Sequence, residues 1–267
     1  MTDTEYFAHP ALSASKINQI LKCPYDYFNS VTYESKALDF GSEVHKLVLE
    51  SDLKKLNDGR LVIVEPEFQD LRSKAGKAER EAFETKHAND YIVSKEAFEC
   101  AETLLNSELS GFFRFEGIRE TPFFGEVLGR EFKCKPDLFL PKFKYGNEDV
   151  NVCIDLKTCI SNTEKSFIQS IISYGYHIQA FIYSQILKAD NFLFITIEKV
   201  TYNIACFYLD SLWFDKAIND IKEAFNIIDN KDKYNKKIRV FKDESGDPTF
   251  IKKIELPNYL KVNKEII

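Results

Sequence analysis

The chain of 267 residues carries 36 Lys/Arg against 42 Asp/Glu, a formal charge of −6, with 44% hydrophobic and 29% charged residues. Those proportions are those of an ordinary soluble globular protein with ample material for a core, and the acidic balance argues against bulk polyanion binding while averaging over local patches. No apolar run approaches bilayer length and "MTDTEYFAHP" has neither a basic nor an apolar leader region, so a cytoplasmic protein with no membrane partner is expected.

In chain order, "ALSASKINQILKCPYDYFNS" predicts a helix capped by Ser13 or Ser15, with Ile17, Ile20 and Leu21 at helical spacing and Pro24 ending or restarting it. "ALDFGSEVHKLVLESD" predicts a second helix, with Val44, Leu47 and Val48 on one face and His45 beside it. Residues 54–66 read as a loop with one short strand, and 67–113 as a charged helical region with a helix start near Ser94. Then comes a β-rich centre: "ETPFFGEV", the turn "LGR" and "EFKCKPDLFL" predict a hairpin, and the loop "PKFKYGNED" leads to a strand around Ile154. "SFIQSIISYGYHIQAFIYSQILKA" is helical, "NFLFITIEKV" and "YNIACFYLD" are strands, and "SLWFDKAINDIKEAFNIID" is an amphipathic helix. The succession predicts an α/β core, a mixed sheet flanked by helices with helical decoration at the N-terminus. The expected organisation is one domain over 1–230, helical over about 10–113 and catalytic over about 114–230, then an extension over 231–267. That extension is locally basic, ten Lys/Arg against six Asp/Glu.

The chemistry is concentrated in "NVCIDLKTCI". Side chains at i and i+2 of a strand share a face, so Asp155 and Lys157 lie side by side. An edge strand with a solvated ion pair would show this pattern, and so would a metal-ligand carboxylate beside a catalytic lysine. Asp137 follows Pro136 eighteen positions earlier. Two carboxylates on adjacent strands can hold a hard divalent cation, and an ammonium beside them can orient or help deprotonate an attacking water. His45 is a further candidate ligand if its helix faces the sheet. Gln179 and Tyr183 fall at i and i+4 on one helix face, either as the polar edge of a core helix or as a pair that orients the lysine or touches phosphate. His177 points elsewhere and is as readily structural. Arg72, Lys74 and Lys77 are either a solvated helix face or phosphate contacts, and Phe112, Phe113 and Phe115 either core or stacking groups. The six cysteines include no C-x-x-C pair, which argues against a zinc ribbon.

"GSEVH", "KPD", "IDLK" and "YHIQAFIY", in this order, resemble the G-x-x-x-H, Pro-Asp, Asp-x-Lys and Q-x-x-x-Y motifs of the RecB-type branch of the PD-(D/E)xK nucleases. Within that branch, "LSASKINQIL", "LRSKAGKAEREAF…YIVSKEAFECAETLL" and "YGYHIQAFIYSQIL" are similar to the RecE/exonuclease VIII-like phage and prophage exonucleases, over roughly residues 10–215. The resemblance implies that His45, Asp137 and Asp155 are metal ligands, with the backbone carbonyl of Leu156 adding an oxygen, that Lys157 is the catalytic lysine and that Gln179 and Tyr183 are its accessory pair. Glu120 matches an acidic residue upstream of Pro-Asp, or is an exposed strand glutamate. Arg72, Lys74 and Lys77 would then help line a channel for DNA. The implied activity is a Mg²⁺-dependent exonuclease, with Mn²⁺ substituting, that digests linear double-stranded DNA from its ends, 5′ to 3′. It would leave single strands for a phage annealing protein and work as a homo-oligomer, a ring being possible, in a bacterial host cell. A structure-specific or partner-dependent endonuclease and a catalytically idle DNA-end or partner-binding module are the alternatives. Cys23 stands where iron–sulfur members of the branch place a first cluster ligand, but no cysteine follows Cys206, so no iron–sulfur cluster is expected.

Overall fold

Short polar side chains set the first helix starts. α1 (Asp3–Ala8) opens on a capping box between Thr2 and Glu5, and α2 (Ala14–Lys22) on Ser13, whose hydroxyl accepts from the Lys16 N–H. Pro24, which has no N–H to lose, begins a fresh helix, α3 (Pro24–Phe28). The computed structural model describes residues 1–30, 38–237, 241–242, 245–246 and 248–249. The chain continues with α4 (Leu38–Glu50), β1 (Val62–Val64), α5 (Lys74–Lys86), β2 (Tyr91–Val93), α6 (Lys95–Leu105) and α7 (Ser110–Arg114). The region 67–113 is thus not wholly helical: "YIV" is a strand that pairs in parallel with β1. Three residues between charged helical runs leave no period to read, so only the pairing reveals it.

There follow β3 (Ile118–Arg119), β4 (Phe123–Val127), β5 (Arg130–Cys134), β6 (Leu138–Tyr145), β7 (Glu148–Cys159), α8 (Glu164–Tyr174), α9 (Tyr176–Leu187), β8 (Asn191–Glu198), β9 (Ile204–Tyr208), α10 (Ser211–Asp229), α11 (Lys231–Tyr234) and the short pair β10 (Phe241–Lys242) and β11 (Pro248–Thr249). The expected hairpin is β4–β5, with Leu128 and Gly129 both at positive φ in its turn, as a two-residue hairpin loop demands. "EFKCKPDLFL" is not one strand, however. It divides into β5, which stays in the hairpin's own two-stranded sheet, and β6, which enters the central one. Pro136 sits at the break, where a residue without an N–H cannot continue a ladder. "PKFKYGNED" is also not a loop: β6 and β7 run through it to a tight turn at Gly146.

The central sheet has the order β3-β6-β7-β8-β9, antiparallel except for β7 with β8. β7 is therefore the middle strand, and the edge-strand reading of Asp155 and Lys157 fails. Its two faces feed different layers. Val152, Ile154 and Leu156 pack with Val44, Leu47, Ala97 and Leu104 of α4 and α6. Cys153 packs on the other side with Phe167 and Ile171 of α8 and Ala180 of α9. This is the expected α/β architecture, a mixed sheet between helical layers. The long helical stretch after β7 breaks at Gly175, whose φ of 72° lets α9 start in a new direction. No described helix is long and apolar enough to cross a membrane. Most of the basic 231–267 extension lies outside the described residues.

Candidate active site

The site forms where β6 stops pairing with β7. Leu138 faces Ile154 in the last register pair at this end of the ladder, and beyond it Pro136 offers no donor. The Leu156 N–H, left without a strand partner there, donates instead to Asp137 Oδ2 at 2.6 Å. One carboxylate is thereby fixed at the sheet's end. α4 supplies the histidine. A Cβ on Gly41 would come within 3.3 Å of Thr158 Oγ1, so the glycine lets α4 lie close over β7. One turn later His45 sets its Nδ1 3.5 Å from Asp137 Oδ2.

Glu120 arrives from the β3–β4 connection with φ of 45°, an uncommon conformation for a glutamate, its N–H donating to the Pro136 carbonyl at 3.1 Å. Its carboxylate pairs with Lys135 Nζ at 2.7 Å. Ligand atoms of His45, Glu120 and Asp137 all lie within 4.8 Å of one another. An imidazole and two carboxylates so gathered are a donor set for one divalent cation. Burial and the nearby Lys157 ammonium hold the His45 imidazole below its ordinary pKa, so it is neutral and can offer a lone pair. Burial, and then the Asp155 charge, push the Asp137 pKa well above the usual carboxylate range. A buried acid held in that way is relieved by a cation.

Asp155 is 2% exposed, faces α9, and is held from two sides. Gln179 Nε2 donates to its Oδ1 at 2.5 Å, and Lys157 Nζ lies 2.7 Å from its Oδ2 as an ion pair outside good hydrogen-bond geometry. Burial opposes the Lys157 charge, but the Asp155 and Asp137 carboxylates outweigh it and keep the amine an ammonium. The Tyr176 ring lies 4.9 Å from that ammonium.

A family model described as a PDDEXK-like domain of unknown function (DUF3799) matches residues 13–239. The chain belongs to this family. Its fold is accordingly the PD-(D/E)xK fold, and Pro136-Asp137 stand at the break between β5 and β6. A crystal structure from Eubacterium rectale, named as a candidate exonuclease, superposes with a TM-score of 0.52 at 15% identity, covering 100% of this chain and 96% of the other. A phage-related exonuclease from Haemophilus somnus gives 0.37 at 12% identity over 85% and 97% of the two chains. An alkaline exonuclease from Laribacter hongkongensis gives 0.32 at 10% over 86% and 95%. No curated protein sequence matches.

In this PDDEXK-like domain, the motif residues His45, Asp137, Asp155, Lys157 and Gln179 converge as the sequence suggested, and Glu120 joins them rather than standing as an exposed strand residue. Asp155 lies outside the His45–Glu120–Asp137 group, occupied by Lys157 and Gln179. Tyr183, one turn after Gln179, packs its ring on Phe192, and burial holds its hydroxyl well above the ordinary pKa. His177 faces away, with Nε2 2.7 Å from Asp220 Oδ2 on α10. The open cleft at the site, about 1020 Å³, is not lined by Arg72, Lys74 or Lys77. Lys74 and Lys77 are exposed on α5, and the Arg72 N–H donates to Asp70 just before it. Phe113 is core, while Phe112 and Phe115 pack on Phe143. Sequence reasoning missed Lys135 and Tyr176. The signals were adjacency, a basic residue directly before Pro-Asp and an aromatic one turn before Gln179.

Proposed function

We propose that this domain is a Mg²⁺-dependent deoxyribonuclease, with Mn²⁺ able to substitute, that hydrolyses phosphodiester bonds from the ends of linear double-stranded DNA. What carries the reading is the meeting of His45, Glu120 and Asp137 beside the Lys157–Asp155–Gln179 chain. His45, Asp137 and Glu120 would hold the cation, while Asp155 stays engaged with Lys157 and Gln179. When bound, the cation supplies Lewis acidity toward a phosphate oxygen and a more acidic water. The remaining work belongs to the chain. Lys157, kept as an ammonium, is a donor and not a base: it orients the attacking water and offsets charge that builds on the phosphoryl oxygens. Asp155 aims Lys157, Gln179 fixes Asp155, and the Leu156 N–H fixes Asp137.

The likeness to RecE-type phage exonucleases supports the finer reading of 5′ to 3′ polarity, a homo-oligomeric ring and delivery of single strands to an annealing protein. The test is digestion of end-labelled linear duplex against covalently closed circles with Mg²⁺ or Mn²⁺. Loss of linear DNA alone is expected. Nicking of circles would make the enzyme an endonuclease, and no cleavage of either substrate would leave an idle binding module.

A further inference from the structure

Tyr174 is 61% exposed at the last turn of α8 and lines the cleft that His45, Glu120 and Tyr176 also line. A surface tyrosine alone means little, but this one is built into a layered arrangement. Its ring stacks on Tyr176 with centroids 5.6 Å apart and planes 26° from parallel, and Tyr176 is the ring beside the Lys157 ammonium. The stack therefore runs outward from the reacting end of the site and ends on the exposed side chain of Tyr174.

The backbone under that face is fixed. The Asn18 side chain donates to the Tyr174 carbonyl at 3.1 Å, and Gly175 leaves α8 in a left-handed turn with Asn18 packed where a Cβ would go. Two hydroxyls continue the line. Ser166, Ser170 and Tyr174 are spaced at i, i+4 and i+8, so they form one stripe down α8 with a repeat of about 6 Å, and all three line the cleft. Lys46, which pairs with Glu50, and Lys199 line the same cleft. Lys22 Nζ stands 5.7 Å from the Tyr174 ring. The cleft opens to solvent, as a groove that admits a strand must. Hydroxyls and amines suit its phosphates, and a ring face suits a base. Only a base freed from its partner, at a frayed or overhanging end, can lay its whole face on such a ring.

We propose that Tyr174 is a stacking platform for an unpaired terminal base of the strand being cut, with Ser166 and Ser170 contacting that strand's backbone. The inference rests on the nuclease reading above and narrows its substrate to ends that present an unpaired nucleotide. The test uses the full chain as wild type, Tyr174→Ala and Tyr174→Trp, on linear duplexes with blunt ends or short overhangs whose last base is 2-aminopurine. Steady-state cleavage is measured with Mg²⁺, and fluorescence quenching with Ca²⁺ in its place. Tyr174→Ala is expected to lose the quenching and raise KM on overhanging ends about tenfold, with kcat within about twofold, and Tyr174→Trp to restore both. Cleavage with KM and quenching indifferent to Tyr174→Ala, or no restoration by Tyr174→Trp, overturns the platform and leaves the nuclease reading standing. Quenching that depends on Tyr174 without any cleavage overturns the nuclease reading and keeps the platform. Neither cleavage nor quenching by wild type overturns both.

Discussion

Asp155 and Lys157 lie side by side because strand period puts them on one face, yet what each does is set by residues that are distant in sequence. The Asp155 oxygens are occupied by Gln179 and Lys157, and the Lys157 charge survives burial only because Asp155 and Asp137 stand near. Lys157→Ala should therefore cut turnover by about 100-fold or more while DNA affinity measured in Ca²⁺ stays within about threefold. A variant that keeps a tenth of wild-type turnover would refute the role given to the lysine. Asp137 makes a second, pH-dependent prediction. Burial first, and the Asp155 charge second, raise its folded pKa, so the folded chain holds a proton to higher pH than the unfolded chain does. That contribution to stability is complete below the unfolded carboxylate value and is lost as pH rises through the folded one. A divalent cation that binds the ionised form reverses the loss. Millimolar Mn²⁺ added to metal-free protein should raise Tm more at about pH 8 than at about pH 5, and Asp137→Asn should flatten the difference. An equal shift at both pH values would remove Asp137 from the ligand set. At this scale much of the site was legible: "KPD", "IDLK" and the i, i+2 spacing mark the strand-borne groups. The left-handed backbone of Glu120 was not, because nothing about a glutamate announces positive φ as a glycine or asparagine would.

Elements were legible where one period ran long enough. The amphipathic face of α10 and the capped start of α2 stand out in the sequence, whereas β2, three residues long, exists only because β1 accepts it. The break between α8 and α9 was hidden because apolar residues continue through it, and Gly175 alone marks the change of direction. Gly175→Ala tests that joint: the φ of 72° costs a Cβ-bearing residue about 1–2 kcal/mol, and Asn18 Oδ1 would lie 3.0 Å from the new carbon. Since Gln179 rides on α9, the variant should lose activity beyond its loss of stability. Unchanged Tm and rate would mean that the joint is not strained. α9 is also tied to α10 through the His177 ring, 2.7 Å from Asp220 Oδ2, and Lys216 Nζ of α10 itself lies 2.8 Å from the same oxygen. Burial opposes the Asp220 charge, but those two partners prevail and lower its pKa, so the stability it adds is present above the unfolded carboxylate value and fades as pH falls through the folded one. Asp220→Asn should cost about 1–3 kcal/mol near pH 7 and much less near pH 3 by urea unfolding. A pH-independent loss would point to packing in place of charge.

Across the whole molecule, the N-terminal segment that precedes the family's match at residue 13 is bound into the structure that carries the site. Leu12 exchanges backbone hydrogen bonds with Glu131 and Lys133, adding a parallel bridge to β5. The buried Lys133 ammonium donates to the carbonyls of Tyr6, Phe7 and His9 and so caps the C-terminal end of α1. Two residues further on, Lys135 pairs with Asp3 of α1 at 3.2 Å and with Glu120 at 2.7 Å. α1 therefore stands one side chain away from the candidate cation site, with Lys135 as the link. Removal of residues 1–9 would strip the Lys133 ammonium of its carbonyl acceptors and take away the buried Tyr6, a loss of about 3 kcal/mol or roughly 10 °C in Tm at this chain length. Asp3→Ala, which touches only the exposed end of the link, should leave Tm within about 2 °C. If Lys135 positions Glu120, Lys135→Met should weaken Mn²⁺ binding by calorimetry several-fold without the Tm loss of the truncation, because Lys133 keeps its acceptors. Equal Mn²⁺ affinity in wild type and Lys135→Met would mean that Glu120 is held by its backbone alone. A truncation that melts with wild type would mean that the Lys133 cap contributes nothing to stability.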